Sequence, residues 1–371
     1  MEGSSRYNAS MSQPQKIAIV LPNPLGDVVM ATPALRSLRE HFKDSAITHI
    51  GQATALEILD GAGLADYVLE DVSRHWPSPI SFLRQVWRVS RSRFDLAVLL
   101  ANSFRSAVMC RLGLVRRLVG YDRDGRGWML GTKLDPPRGS SGRYKPIPAI
   151  DYYNHLAEKL GATTTSRRMS LAVSQESRAA ADEVLVGAGA DPAKPMVMLN
   201  PGASFGPSKV WPALRFAALA DMLIERQSAQ IVINAAPGEK DLARQVSDAM
   251  RNEPTLNMAD HESTLTLLKG LIQRCRLVVT NDTGARHVAA ALGTDVVTIF
   301  GSTDPKWAQI DFPRQREVRV DVPCGPCQKP ICRNAPGPDF HRCMTAITAE
   351  MVLQASEELL NLPNSRLEAS V

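Results

Sequence analysis

The sequence predicts an α/β protein of two domains, each built on a parallel sheet. Three observations carry that reading. Residues 276–305 run strand, loop, helix, strand, which implies two parallel strands joined by a right-handed crossover. Short apolar runs of buried-strand type alternate with helical segments in both halves of the chain. The 371 residues suit two domains of ordinary size, and the Gly/Pro-rich stretch 187–195 (GAGADPAKP) marks a boundary between them.

In the first half, 16–21 (KIAIVL) reads as a buried strand and 22–27 as the loop after it. Residues 28–41 follow as a helix, with Val28, Val29, Leu35 and Leu38 near a 3.6-residue period. Asp27 thus stands where a strand hands over to a helix, which is where open parallel sheets bind ligands. Capping that helix is its plainer job. Residues 47–50, 67–69 and 96–100 read as further strands, with helices at 53–60 and 80–93. The second of these helices mixes Phe82, Val86, Trp87 and Val89 with Arg84, Arg88, Arg91 and Arg93, and Trp76 stands just before it. Such a mixture suits a core-facing helix or one that touches a membrane surface. Helices at 151–160, ended by Gly161, and at 174–188 close the half.

The second half opens with a strand at 196–199 and the loop 200–212 (NPGASFGPSKVWP). Its small residues let the backbone approach a phosphate, Ser204 offers a hydroxyl and Lys209 a point charge. A turn-rich linker with a snorkelling lysine is the alternative. A helix at 216–227, a strand at 230–234 and a helix start at 237–241 come next. Within 276–305, the turn 281–284 leads into an alanine-rich helix, 285–292, ended by Gly293. Asp282 and the backbone N–H groups of Thr283 and Gly284 therefore stand at a helix N-terminus, a seat for phosphate. His287 lies one turn further on, at the same mouth; a capped helix with a surface histidine is the alternative. Residues 295–301 are a strand, 346–362 a last helix and 363–371 a polar tail.

Composition and charge narrow the class. The chain is 44% hydrophobic and 22% charged, enough apolar residues for two cores. No apolar run approaches the roughly 20 residues of a membrane-spanning helix. Residues 1–14 lack the apolar centre of a signal peptide and read as a disordered tail. A cytoplasmic location is expected, where the six cysteines stay reduced. Residues 105–145 hold ten Lys/Arg and three Asp, a local net charge of +7 against +5 for the chain. That favours an anionic partner, with Arg123, Arg126 and Arg143 to bind it. Nucleic acid fits poorly, for want of a binding motif and stacking aromatics. A phosphorylated glycolipid or an anionic membrane face fits better; a solvated arginine-rich surface is the plain alternative. Cys324-x2-Cys327-x4-Cys332-x10-Cys343 has the spacing of a zinc or iron site. Cys110 and Cys275 read as ordinary buried thiols. Asp122-Arg123-Asp124 sits in an Arg/Gly loop, not after a strand, and is not read as a metal motif.

Asp282-Thr283-Gly284, then His287, AAALG and FGSTDP resemble the donor site of glycosyltransferase family nine, the ADP-heptose transferases. Leu25-Gly26-Asp27 before ATPAL, Asn102–Ser106 (NSFRS) with Gly120-Tyr121-Asp122-Arg123, and PGASFGPSKVWP resemble further family motifs, so both halves are covered. The NSFRS segment resembles the branch that adds the second heptose to the lipopolysaccharide core. The resemblance implies the GT-B architecture, two Rossmann-like domains facing across a cleft. Residues 15–188 would bind the acceptor and 195–345 the nucleotide-sugar donor, with the helix 346–362 packing back on the first domain. It implies an inverting heptose transfer that requires no cofactor, with Asp27 as general base. The donor would be held by Gly26, Ser204, Lys209, Glu239, Asp282, Thr283, Gly284 and His287. Asn102, Ser103 and Arg105 join the basic residues on the acceptor side. The implied partners are ADP-heptose and lipid A bearing inner-core sugars, with peripheral contact at the inner membrane face. Family members that heptosylate proteins hold iron on a four-cysteine finger, which bears on Cys324, Cys327, Cys332 and Cys343. Asp260 stands where the family has glycine near the adenine, a departure in the base pocket. The rivals are a sister transferase with another acceptor, such as a protein, and a non-catalytic sugar-nucleotide-binding protein. A dinucleotide oxidoreductase is the third, but its only phosphate turn, Gly61-Ala62-Gly63, lacks the third glycine and the strand-to-helix placement.

Overall fold

The computed structural model describes residues 13–74, 78–140, 142 and 144–363. The tail read at 1–14 falls outside them except for Gln13 and Pro14, and so do Trp76, Arg143 and the C-terminal tail beyond Pro363.

Two six-stranded parallel sheets organise the chain. The first contains β1 (Lys16–Val20), β2 (Ala46–Gly51), β3 (Tyr67–Glu70), β4 (Leu96–Leu99), β5 (Arg117–Tyr121) and β6 (Thr132–Leu134). Its spatial order is β3-β2-β1-β4-β5-β6. The second contains β7 (Met196–Asn200), β8 (Gln230–Ile233), β9 (Leu256–Asn257), β10 (Leu277–Asn281), β11 (Asp295–Phe300) and β12 (Gln315–Arg319). Its order, β12-β11-β10-β7-β8-β9, is the same winding once its strands are counted from β7. Both are the doubly wound arrangement of dinucleotide-type folds. Central strands are apolar on both faces because helices cover both: β1, β4, β7 and β10 carry Ile17, Ile19, Val98, Leu199, Val278 and Val279, all fully buried.

β5, β6, β9 and β12 escape the sequence reading. β6 and β9 are only three and two residues long. β12 (QREVR) is charged, as suits an edge strand. The helix expected at 28–41 is two helices, Leu25–Met30 and Thr32–His41. Pro33 has no N–H to give to Val29, so the ladder breaks there, and the Thr32 hydroxyl takes up the Val29 carbonyl at 2.7 Å. Asp27 consequently lies inside the first turn of a short helix rather than ahead of one.

The division into units also differs from expectation. The first unit takes the described residues up to Met169 and also Lys306–Ile310; the second takes Ser170–Pro305 and the described residues from Asp311. The helix Gln175–Gly187 therefore belongs to the second unit, where it packs on the helix Leu265–Arg274. Gly270 makes that contact close, since a Cβ there would stand 2.0 Å from the Ser177 carbonyl oxygen. The last helix, Ala349–Leu360, is grouped with the second unit. It covers β10, β11 and β12 and the helix Ala213–Gln227. The unread strand β12 widens the second sheet beneath this helix, whose Val352, Leu353 and Leu359 are buried. Arg276 donates to the Leu359 carbonyl at 3.1 Å and Arg316 pairs with Glu358 at 2.8 Å. Among the described residues no helix is long and apolar enough to cross a membrane.

Gly270→Ala should therefore act on the second unit although it adds one methyl group. Forcing the two helices apart is expected to cost about 1–3 kcal/mol, read as a lowered denaturant midpoint. An unchanged midpoint would mean that the two helices do not pack as closely at Gly270 as described.

Candidate active site

A parallel sheet leaves a crevice where neighbouring strands send their connections to opposite faces. In the first sheet that point lies between β1 and β4, and in the second between β7 and β10. The four segments at these points are the ones with unusual chemistry. Asp27 follows β1, Asn102 follows β4, Lys209 lies in the loop after β7, and Asp282 follows β10.

In the first unit, Asp27 lines a cavity of about 200 Å³ with Asn102, Arg123, Tyr144, Lys145 and Trp307. Its walls are aromatic and its rim is basic. The Arg123 guanidinium sits 4.2 Å from the Tyr144 ring centroid. The Asn102 side-chain Oδ1 accepts from the Tyr152 hydroxyl at 3.0 Å and from Arg126 Nη2 at 3.2 Å. Tyr152 stacks on Tyr121 with centroids 3.7 Å apart. Burial, and then the charge of Asp27, push the Tyr153 phenol well above its ordinary value, so it stays protonated beside that carboxylate.

Three of the residues assigned to an acceptor do other work. Arg126 is fully buried and does not line the cavity; it donates to the carbonyls of Ala101, Ser103 and Tyr121. It fixes the turn after β4. Ser103 caps the helix Phe104–Leu112, accepting from Ser106 N at 3.2 Å. Arg105 pairs with Asp71 at 3.2 Å and lies over the Phe82 ring. Arg143 lies outside the described residues. Lys145 and Trp307, which were not assigned, do line the cavity. Lys145 was legible only as one charge in a basic stretch, and nothing local in the sequence marks Trp307. Asp122, of the rejected metal motif, pairs with Lys133 at 2.8 Å.

In the second unit, Lys209 Nζ lies 2.6 Å from Asp282 Oδ2 and 3.0 Å from the Asp282 carbonyl oxygen. Thr303 donates to the same carboxylate at 2.8 Å, and Arg286 Nη1 stands 3.5 Å from its other oxygen. Burial alone would push Asp282 up; the charges of Lys209 and Arg286 and these hydrogen bonds more than reverse that and hold it below the usual carboxylate range. Asp282 is therefore the anchor of Lys209 rather than a helix cap. The N-cap is Thr283, whose side chain does not cap the helix Gly284–Ala291 and instead bonds Thr280 and Asn200. The positive end of that helix keeps its first N–H groups uncapped by a side chain. Arg286 and Thr303 were missed by sequence reading; the i,i+4 offset of Arg286 from Asp282 was the available signal.

Glu239 comes to the same loop, and only glycine at 202 permits it, since a Cβ there would stand 1.9 Å from the Glu239 carboxyl carbon. Burial raises the Glu239 carboxyl. Ser204 is exposed on the loop, and Gly26 precedes Asp27 in its helix. His287 is buried rather than a surface residue, and its Nδ1 has no hydrogen-bond partner among the described residues. Burial, with Arg286 beside it, pushes its pKa down to about 3.

The four late cysteines line one cavity of about 190 Å³. They share a neighbourhood but form no ligand set, because among the described residues no three His, Cys, Asp or Glu side chains are disposed to hold a metal ion. Cys324 and Cys332 accept instead from the Asn334 amide and the His341 N–H. Burial, and the neighbouring sulfurs, push the Cys343 thiol up to about 11.

Two doubly wound units, with a carboxylate at one crevice and a cationic, helix-end cradle at the other, are an arrangement that suits a glycosyltransferase. Residues 83–336 match glycosyltransferase family 9 (heptosyltransferase), and the chain belongs to that family. Lipooligosaccharide heptosyltransferase 2 of Campylobacter jejuni is 27% identical over 95% of this chain and all of its own length. A family 9 glycosyltransferase structure from Veillonella parvula superposes with TM-score 0.81 at 22% identity, covering 94% of this chain and 98% of that one. The structure of Escherichia coli ADP-heptose lps heptosyltransferase II gives 0.74 at 22% identity, covering 96% and 100%.

The buried histidines set an acid limit. His49 is pushed down to about 4 by burial and His287 to about 3, both from 6.5. A histidine whose pKa falls on folding binds more protons unfolded, so its stabilising share is complete above pH 6.5 and is lost as pH falls toward the folded value. At pH 5 each should cost about 2 kcal/mol relative to pH 7. Urea unfolding at the two pH values checks this, and His49→Gln should shrink the loss by about that amount.

Proposed function

We propose that this glycosyltransferase moves a heptose from ADP-heptose onto the inner core of lipopolysaccharide, as its second heptose. The carrying observation is that each unit holds one such element at its own sheet's crevice, a basic, aromatic cavity around Asp27 in the first and the Lys209–Asp282 cradle in the second. The names of the relatives supply the sugar and the acceptor class. Aromatic faces suit sugar rings, and Arg123 and Lys145 suit the phosphates or carboxylates such an acceptor bears.

In this mechanism Asp27 takes the proton of the acceptor hydroxyl as its oxygen attacks the anomeric carbon, and the bond from that carbon to ADP breaks with inversion. Charge grows on the pyrophosphate as it leaves. Lys209 and the uncapped N-terminus of the helix Gly284–Ala291 face that charge, the role a divalent ion fills elsewhere. Asp282 keeps Lys209 in place, and Glu239 accepts from the ribose hydroxyls. No step runs through the cysteine cluster. The acceptor is a membrane glycolipid, so the reading includes peripheral contact with a lipid surface.

Release of ADP from ADP-heptose in the presence of a core acceptor carrying one heptose tests the reading, with product mass as a second readout. Turnover in excess EDTA is expected to match that without it. ADP release with a protein acceptor alone would replace the acceptor assignment, and activity lost in EDTA and restored by Mg²⁺ would replace the mechanism.

Asp27→Asn is expected to lower the turnover number by about 10²-fold or more while ADP binding, followed by calorimetry, changes little. A variant keeping a tenth of the wild-type rate would remove Asp27 from the role of base.

A further inference from the structure

The helix Pro79–Ser92 has one face that the transfer reaction does not use. Its sequence, PISFLRQVWRVSRS, contains three arginines, a fourth follows at the C-cap, and it has no acid. Gln85, Val86 and Val89 are its buried residues, and Val86 and Val89 join the core cluster over the first sheet. At 100° per residue, Ile80, Leu83, Arg84, Trp87 and Arg91 fall on the opposite side in a stripe about 100° wide. Ile80 is 79% exposed, Leu83 59% and Trp87 57%. The Arg91 guanidinium lies 4.9 Å from the Trp87 ring centroid, so cation and indole share one spot on that face. Asp71, a short way before the helix, is buried and paired with Arg105. Arg88 lies off the stripe and donates to the Glu70 carbonyl at 2.9 Å.

We infer that this face docks on an anionic lipid surface. Large apolar side chains left in water gain by moving into an apolar medium. Tryptophan prefers the headgroup level, where its ring is half buried and its N–H stays wet. The arginines then meet phosphate headgroups, and the absence of acids from the helix removes the repulsion that would oppose them. A protein partner would have to offer an apolar groove rimmed by acids; a membrane of anionic lipids offers both features at any point. Burial of the stripe lays the helix flat on the surface rather than through it. The inference rests on the glycolipid reading only for its purpose, since vesicle binding is measured without any sugar.

Sedimentation with phosphatidylglycerol/phosphatidylcholine vesicles tests it, using the full chain. The wild type should sediment with these vesicles, bind pure phosphatidylcholine far more weakly, and be released by high salt. Ile80→Ser, Leu83→Ser and Trp87→Ser combined should lower vesicle affinity by about tenfold or more, and Arg84→Gln with Arg91→Gln should remove most of the preference for anionic lipid. Transfer to a delipidated core oligosaccharide should stay within about twofold of wild type for both variants, and unchanged thermal melts exclude misfolding. Vesicle binding equal to wild type in the triple variant overturns the inference, as does no binding by the wild type. A dimer in sedimentation velocity that the triple variant abolishes, without vesicle binding, would assign the face to a second copy. Vesicle binding with no sugar transfer would leave the docking face standing and overturn the function proposed above.

Discussion

A sheet of parallel strands must change winding direction somewhere if helices are to cover both of its faces. At that place two adjacent strands send their chains apart and leave a gap lined by helix starts and loop backbone. Each unit has one such gap, between β1 and β4 and between β7 and β10. Asp27, Asn102, Lys209 and Asp282 collect there. The apolar strands of both sheets can be read as the support that holds four loops at two points.

Those loops are stiffened by buried charge. Arg126 and Arg286 have no exposed surface, yet each serves a loop: Arg126 gathers carbonyls after β4, and Arg286 braces Asp282 against Glu317. A buried guanidinium is costly unless its donors are used, so such residues tolerate little rearrangement around them. The turn carrying Asn102 and the carboxylate that steers Lys209 are each held by interactions that would be lost if that loop moved. Preorganisation of this kind is what lets fixed cations stabilise a leaving group without reorganising during reaction.

The site was legible in the sequence where its chemistry is local. Asp27, Lys209 and Asp282 sit in short stretches whose turn formers and flanking strands announce a strand-to-loop transition. Charge alone misled. Arg126 and Arg123 look alike in the basic stretch, and only the fold sends one into the core and leaves the other at the cavity. Strand β12 was hidden because an edge strand reads as a charged loop. Trp307 could not be found by any local argument, because its place at the Asp27 cavity depends on where the chain turns after β11.

The assignment of Lys306–Ile310 to the first unit means the polypeptide changes unit three times, after residues 169, 305 and 310. The two halves are thus interleaved along the gene, with the first-unit segment set between strands β11 and β12 of the second sheet. Recombination between relatives at a single crossover near residue 169 would join an Asp27 cavity from one parent to a Trp307 from the other. Exchange of the whole Asp27 cavity by such a swap needs the five-residue insert to travel with the first half. Evolution of the two halves is coupled at that wall, and substitutions lining the cavity are constrained by a segment encoded well over a hundred residues away.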